Sequence, residues 1–313
     1  MTEALHDPVF LFYLKAVGGV LLVAGAILAT LTYAFHKDVR SIWKTYRGWL
    51  VMAPLFLGCM ALGRPALVVL FTLLSIVGLK EFSRATGLYR DWPMTGAAYA
   101  GVLAVAVLCF VPDPRKPGVI GWYGLFIVLP VFVVALILLV PIVRNRVKGQ
   151  LQTMSLAIIG FIYIGWMFNH LSFLTTARNA TSYLLYLVFA VELNDVAAFT
   201  CGKLFGRHPF RDVISPKKTW EGALGALAIS MALPWLLRFS LPGFGTRELL
   251  LTGLIVGVGG QLGDLSISVI KRDVGIKDMG ATIPGHGGIL DRIDSLIYVA
   301  PLFFHMVRFF EGF

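Results

Sequence analysis

Charged residues are scarce in this chain, and acidic residues are scarcer than basic ones. Only 14% of the 313 residues are Asp, Glu, Lys or Arg, and 17 of them are acidic. A soluble domain carries about 25% charged residues, so this composition excludes an ordinary water-soluble fold. The chain has only three cysteines, all inside apolar stretches and without metal-ligand spacing. Cys59, Cys109 and Cys201 therefore indicate neither a disulfide framework nor a zinc site.

Apolar residues dominate what remains. They make up 58% of the chain, and the mean hydropathy is +0.80. These values are typical of an all-α polytopic membrane protein, in which a spanning helix needs about 20 apolar residues. The first run has no basic leader or cleavage pattern, so we expect a retained span. We predict a single membrane domain, 1–313, with about ten transmembrane helices near residues 9–34, 49–63, 65–79, 94–112, 119–143, 151–173, 182–204, 220–239, 249–270 and 289–310.

The net charge of +10 is concentrated in alternate loops. Most of the 27 basic residues follow the odd-numbered runs, whereas the opposite loops hold five. Lys and Arg placed in this way orient spans and meet anionic headgroups, so we expect membrane lipids as partners and no nucleic acid. The basic loops mark the cytoplasmic side, which places both termini on the non-cytoplasmic side. These loops contain Lys37, Arg40, Lys44, Arg47, Lys80, Arg84, Arg90, Arg144, Arg146, Lys148, Arg207, Arg211, Lys217, Lys218, Lys271, Arg272, Lys277 and Arg292.

A polar stripe runs along the ninth apolar run. Gln261, Asp264, Ser268 and Lys271 recur at three- and four-residue spacing, which puts them on one helix face. A carboxylate at membrane depth costs about 2.5 to 3.5 kcal/mol on insertion scales, so Asp264 should have a cation or a basic partner. A functional site is favoured, and a structural salt bridge between helices is the alternative. Gly263 lies on a small-residue face that favours close helix approach.

Two more carboxylates open the tenth run. Asp291 and Asp294 are three residues apart and therefore share a helix face, although acidic residues in a first turn also serve as dipole partners. Together with Asp264 they could supply the oxygen ligands that Mg²⁺ prefers. Between the ninth and tenth runs, the segment 285–288 has three glycines around His286, and it reads either as a turn or as a phosphate-binding nest.

The seventh run repeats this chemistry. It carries Glu192, Asn194 and Asp195 near membrane depth, and the stretch SPKKTWEG, 215–222, follows it. Lys217 and Lys218 could bind phosphate as point charges, but they could also be ordinary positive-inside residues. Ser215 followed by proline can also begin a helix. The stretch lacks the glycine frame of a Walker loop. We therefore assign residues 1–180 to scaffold spans and 181–313 to the catalytic part.

These segments resemble a known family. The stretch SVIKRDVGIKDMGATIPGHGGILDRID, 268–294, is similar to the C-terminal signature of the phosphatidate cytidylyltransferases, also called CDP-diacylglycerol synthases. The segments NDVAAFTCGKLFG and SPKKTWEG resemble the upstream motif of the same family. The chain departs from the family pattern at GDLSIS, where Ile267 stands in place of a glutamate.

The resemblance implies transfer of the cytidylyl group of CTP to phosphatidate. It implies Mg²⁺ held by Asp264 and Asp291 with help from Asp294 or Asp278, and Asp195 at a second cation position or pinning a helix. A second, monovalent cation is left open. The catalytic residues would be Asp264, Lys271, Arg272, Asp278, His286, Asp291 and Arg292. The substrate-binding residues would be Ser215, Lys217, Lys218, Thr219, Ser268, Lys277, Gly287 and Gly288.

Two alternatives stay open at this point. A CTP-dependent lipid or polyprenol kinase resembles the same superfamily but transfers the terminal phosphate. An ion-coupled transporter would also carry intramembrane carboxylates such as Asp195 and Asp264. We expect CTP, phosphatidate and membrane lipids as partners, with a homodimer as one state the sequence allows. The expected location is a bacterial cytoplasmic membrane with the site facing the cytoplasm.

Overall fold

The apolar runs form helices along almost the whole chain. The computed structural model describes residues 6–115, 118–283, 285 and 287–312. Proline at the first turn and glycine beyond the last turn delimit several of the helices, as at Pro65 and Gly87. The helices are α1 (Pro8–Tyr33), α2 (Arg40–Leu62), α3 (Arg64–Thr86), α4 (Trp92–Phe110), α5 (Tyr123–Val143), α6 (Gln150–Ile159, continued by a π-helical segment Gly160–Met167), α7 (His170–Leu174), α8 (Ala180–Phe205), α9 (Trp220–Leu236), α10 (Thr246–Asp273) and α11 (Leu290–Glu311).

The all-α polytopic class is confirmed, and the bounds of several helices differ from the prediction. Within the described residues, nine helical stretches are long and apolar enough to cross a membrane. The eighth predicted run forms α9, which has only 17 residues. The second and third runs were predicted too short, because α2 and α3 have 23 residues each. α2 therefore begins at Arg40, and Lys44 and Arg47 lie on its first turns rather than in a loop.

A small β-hairpin precedes α9 and was not predicted. Strands β1 (Pro209–Arg211) and β2 (Ser215–Thr219) pair antiparallel. Ser215 therefore lies in a strand, and the reading of Ser215 as a helix start is wrong. α9 begins instead at Trp220, where the Thr219 hydroxyl accepts a hydrogen bond from the Gly222 amide at 3.2 Å. The hairpin presents Lys217 and Lys218 directly before that helix.

Contacts divide the loops between two faces. The loops after the odd-numbered runs are joined to one another, and we call their side the site face. The loops of the other side are joined by Arg64, which donates to the Thr175 hydroxyl and to the carbonyl of Ile120. The predicted alternation is therefore present, while the assignment of the site face to the cytoplasm stays a prediction. The bonds that join the site face are Thr45–Gly285, Glu81–Leu290, Asp91–Arg144 and Arg272–Ile214.

The spans differ in how much protein surrounds them. In α1, α2 and α5 only 11%, 17% and 22% of the most apolar window is buried, so most of their surface faces lipid. In α3 and α11 the buried shares are 61% and 67%. Polar groups on α3 and α11 are therefore shielded from lipid by neighbouring helices, which is the condition for carrying carboxylates at that depth.

Glycines let α10 and α11 approach closely. A Cβ added at Gly263 would collide with the Asp294 carbonyl oxygen and lie 2.8 Å from the Ser295 Cα. At Gly259 the nearest atom would be a Val299 methyl at 3.2 Å. The predicted small-residue face is confirmed, and it brings the polar stripe of α10 against the start of α11.

We expect Gly263→Ala to destabilise the protein by about 1 to 3 kcal/mol, because the new methyl group meets backbone that cannot rotate away. Thermal unfolding in detergent measures this change. Gly19→Ala is the matched control, since a Cβ at Gly19 in α1 has no neighbour within 4 Å. Equal unfolding temperatures for the two variants would contradict the close approach of α10 and α11.

Candidate active site

Asp264 on α10 has the basic partner that its depth requires. The Lys218 Nζ lies 2.6 Å from its Oδ2, and the Ser268 hydroxyl donates to its Oδ1 at 3.2 Å. The prediction that Asp264 has a partner is confirmed. The side chains of Lys218 and Asp264 remain 26% and 30% exposed, so a ligand can reach both groups. An accessible ion pair of this kind can be opened by a substrate.

Asp291 at the start of α11 is held much more tightly. Its Oδ1 lies 2.9 Å from the Lys271 Nζ, and its Oδ2 accepts from the amides of Met279 and Gly288 at 2.9 and 3.1 Å. The Lys271 and Asp291 side chains are only 11% and 5% exposed. This carboxylate thus ties α10, α11 and the loop between them into one unit.

Three carboxylates from three helices converge beside this unit. Asp195 on α8, Asp264 on α10 and Asp294 on α11 lie near enough to interact through their charges. The Ser295 hydroxyl donates to Asp195 at 3.3 Å, and the Ser295 amide donates to Asp294 at 2.8 Å. Asp294 is buried, whereas Asp264 is partly accessible and Asp195 is exposed. Lys218 pairs with only one of these three carboxylates, and a group of carboxylates at this depth favours a bound cation.

The donor chemistry of this acidic cluster fits a hard cation. Carboxylate oxygens from separate helices are the ligands that Mg²⁺ takes from proteins. Among the described residues, no three His, Cys, Asp or Glu side chains are already placed to hold a metal ion together. Asp291 bonds to Lys271 and to two backbone amides. The magnesium set Asp264, Asp291, Asp294 and Asp195 therefore stays a prediction, with Asp195, Asp264 and Asp294 brought together.

The remaining predicted basic residues are exposed. Arg272 donates to the carbonyls of Ile214 and Ile276 at 3.2 and 3.1 Å, which ties the hairpin to the end of α10. Lys217, Lys277 and Arg292 are exposed, as is Asp278. The exposed basic residues therefore lie on the hairpin, at the end of α10, in the loop that follows it and at the start of α11, and we call them the basic rim.

The glycine-rich loop is partly described. Gly287 has φ +84°, a conformation that favours glycine, and its carbonyl accepts from the Ile283 amide at 3.0 Å. The Gly288 amide is already bonded to Asp291. The substrate-binding role of Gly287 and Gly288 stays a prediction. His286, for which a catalytic role was predicted, lies outside the described residues.

Glu81 on α3 was not predicted as a site residue. Its side chain is buried, and it accepts hydrogen bonds from the amides of Ile289 and Leu290 at 3.0 and 2.9 Å. Glu81 lies between Lys80 and Arg84, a setting typical of solvated charge. The signal in the sequence was its position three residues after Gly78, which puts both residues on one face of α3. A Cβ added at Gly78 would contact Leu290, so this face packs against the start of α11.

Together these groups define a class of protein. Lysines and carboxylates from separate helices meet at one face of a membrane bundle, and the surrounding rim is basic. This chemistry suits an enzyme that acts on phosphate groups at a membrane surface.

The comparisons with known proteins give the family. Residues 43–310 match the cytidylyltransferase family, and the chain belongs to that family. It is 32% identical to the phosphatidate cytidylyltransferase of Staphylococcus haemolyticus over 249 residues, which are 79% of this chain and 92% of that protein. The enzyme of the same name from Staphylococcus aureus is also 32% identical, over 251 residues and with the same shares.

A further relative has no assigned activity. The uncharacterized protein YnbB of Escherichia coli is 38% identical over 167 residues, or 52% of this chain and 56% of that protein. The chain therefore matches only about half the length of YnbB. The family and its enzymatic class follow from the family match and from the two staphylococcal relatives.

Proposed function

We propose that this protein transfers the cytidylyl group of CTP to phosphatidate in phospholipid biosynthesis, forming CDP-diacylglycerol and pyrophosphate. One observation carries the proposal: the two lysine–carboxylate pairs, Lys218–Asp264 and Lys271–Asp291, lie where both motif segments meet on the site face. The relatives named phosphatidate cytidylyltransferase support the choice of substrates. The catalytic groups would lie mainly in residues 181–313.

The reaction needs little acid–base chemistry from the protein. A phosphate oxygen of phosphatidate attacks the α-phosphorus of CTP, a new P–O bond forms, and the bond between the α-phosphorus and its bridging oxygen breaks. The electron pair leaves with pyrophosphate. Because the lipid phosphate is already ionised at neutral pH, catalysis can consist of positioning and charge neutralisation.

The two ion pairs would have different roles. The partly exposed Lys218 can turn from Asp264 to a phosphate oxygen of the nucleotide when a triphosphate enters. Lys271 would stay on the buried Asp291 and hold the loop. Lys217, Lys277, Arg272 and Arg292 on the rim would attract the triphosphate and the lipid phosphate, with Ser215, Thr219 and Ser268 beside them.

Magnesium, when bound, would neutralise phosphate charge on the nucleotide and on the leaving group. Asp264, Asp195 and Asp294 would hold it, because they converge from three helices. Asp291 and Asp278 would border the same site from the loop. Asp195 also accepts from Ser295, so it would hold a second cation or pin α8 against α11.

A groove beside the acidic cluster offers a route for the lipid. It has a volume of about 370 Å³ and lies between the π-helical segment and α10. Its lining is almost entirely apolar, and the Tyr163 hydroxyl donates to the Gly263 carbonyl at 3.4 Å, one residue from Asp264. An acyl chain in this groove would bring its headgroup phosphate toward Asp264. The lining residues are Ile158, Ile159, Ile162, Tyr163, Ser266 and Ile270.

The site face would lie on the cytoplasmic side of a bacterial inner membrane. Its loops carry most of the basic residues, and CTP is available in the cytoplasm. Both termini would then lie on the opposite side. Variants with a single cysteine in place of Lys148 or of Arg115 test this orientation in sealed cells. A membrane-impermeant thiol reagent should label the cysteine at position 115 and not the one at position 148.

The position of the radiolabel decides between transferase and kinase. Purified protein in detergent is incubated with Mg²⁺, CTP labelled at either the α- or the γ-phosphate, and one of two acceptors: phosphatidate, or a mixture of diacylglycerol and a polyprenol. We expect the α-label in the lipid and the γ-label in pyrophosphate. A kinase would place the γ-label in the lipid and the α-label in CDP. Label in neither lipid, with an active cytidylyltransferase alongside, would overturn the proposal and leave the transporter reading.

A further inference from the structure

Glu81 reaches from the N-terminal part of the chain into the loop that carries the second motif. It lies near the end of α3 and is only 5% exposed. Its Oε1 accepts from the Ile289 amide at 3.0 Å and from the Thr282 hydroxyl, and its Oε2 accepts from the Leu290 amide at 2.9 Å. One carboxylate therefore bonds to both ends of the segment 282–290.

These bonds supply a cap that α11 does not provide for itself. The residue before α11 is Ile289, and no side chain there bonds to the first amides of the helix. A helix leaves its first four N–H groups without internal partners, and a carboxylate at this end is favoured by the helix dipole. Glu81 is such a carboxylate, although it comes from another helix.

The loop is also shaped to fit this carboxylate. A Cβ added at Gly288 would lie 2.5 Å from the Glu81 Oε2, and one at Gly280 would lie 2.6 Å from the Oε1. Within the described part of the chain, no lysine or arginine forms an ion pair with Glu81. Its hydrogen-bond partners are the loop and the helix start, so the loop and the carboxylate stabilise each other.

Asp291 depends on the same arrangement. It follows Leu290 directly, and it accepts from Gly288 and Met279 on the opposite side of the loop. A shift of the α11 start would move Asp291 away from those amides and from Lys271. Glu81 and Asp291 thus hold the loop from two sides, but only Asp291 pairs with Lys271 of the polar stripe on α10.

We infer that Glu81 is a positioning residue for the cytidylyl transfer proposed above, and the inference rests on that function. Glu81 fixes Thr282 and residues 287–290, so that the Lys271–Asp291 pair stays closed and holds the loop beside the nucleotide. It acts through Asp291 and does not touch the substrate. The N-terminal spans therefore contribute to the site through one buried side chain.

Hydrogen exchange followed by mass spectrometry tests the inference without substrates. In Glu81→Gln, an NH₂ group replaces one of the two carboxylate oxygens. Either the Ile289 amide or the Leu290 amide then loses its acceptor. We expect exchange at Met279 and Gly288 to accelerate about tenfold, as on loss of one net hydrogen bond, although neither amide touches Glu81. Faster exchange confined to Ile289 and Leu290 would reduce Glu81 to a local helix cap and overturn the inference.

Kinetics provide the second readout. We expect Glu81→Gln to lower kcat about 10²-fold, the scale of a small misplacement of reacting groups, with a smaller change in the KM for CTP. Asp91→Asn is the matched control, because it removes a carboxylate paired with Arg144 on the same face and should leave kcat unchanged. Unaltered kcat in Glu81→Gln would overturn the inference.

Thr282→Val covers the case in which Glu81→Gln does not fold. It removes one bond to Glu81 from the exposed side of the loop, and we expect a smaller drop in kcat with faster exchange at Gly288. No change in either quantity would overturn the inference. If the wild type makes no CDP-diacylglycerol, the proposed function fails, while the exchange pattern still decides whether Glu81 holds the loop.

Discussion

Asp264→Asn should lower kcat about 10²- to 10³-fold, the usual cost of removing one group that stabilises charge in a transition state. Asn has the same shape, so the packing of α10 against α11 should survive. The change removes the charge that faces Lys218 and one of the three converging carboxylates. If Asp264 binds the metal, the Mg²⁺ concentration for half-maximal activity should also rise at least about tenfold.

A magnesium titration of the α-label transfer measures both effects. Asp273→Asn, at the end of the same helix, is the control for loss of an acidic residue from α10. Lys218→Met separates the two roles of Asp264, because it removes the lysine and keeps the carboxylate. It should raise the KM for CTP more than it changes the magnesium requirement. Wild-type activity and magnesium dependence in Asp264→Asn would remove Asp264 from the site.

Asp291→Asn should cost both activity and stability. The Lys271–Asp291 pair is buried, and breaking such a pair from one side destabilises a protein by about 3 to 5 kcal/mol. An Asn side chain has a single acceptor oxygen, so its amide nitrogen would face either Lys271 or the Met279 and Gly288 donors. The loop should loosen, and kcat should fall about 10²-fold.

The double variant Lys271→Met with Asp291→Asn tests the stability argument. It should unfold at a higher temperature than Asp291→Asn alone, because no unpaired lysine is left buried. Its activity should stay low, since both polar groups are gone. The opposite result is a loss of unfolding free energy in the double variant equal to the sum of the losses in Lys271→Met and Asp291→Asn. That result would show that Lys271 and Asp291 do not depend on each other.

Much of the fold could be predicted because lipid and water act on each residue locally. The apolar runs gave the helices, although α2 begins nine residues earlier than predicted and α9 is shorter than a usual span. The alternation of basic loops anticipated which loops meet on the site face. Asp264 could be identified as a site residue because an isolated carboxylate in an apolar helix is costly wherever the helix packs.

The sequence predicted which residues belong to the site, but not which of them pair with one another. The basic and acidic residues of both motifs were identified, yet the sequence did not distinguish the accessible Lys218–Asp264 pair from the buried Lys271–Asp291 pair. The β-hairpin was missed because strands of three and five residues leave no clear periodic signal. Glu81 was missed because its charged neighbours suggested a solvated helix end.

The sequence by itself determined that this protein lies in a membrane, which loops share a face, and which motif segments carry its chemistry. These properties depend on hydropathy, charge and spacing along short stretches of chain. Only the tertiary structure decided which charges pair and what holds the loop before α11. Glu81 and Leu290 are 209 residues apart, and their bond exists only because α3 and α11 pack side by side. Helix packing is set by side-chain shape across the whole bundle, and no local pattern contains it.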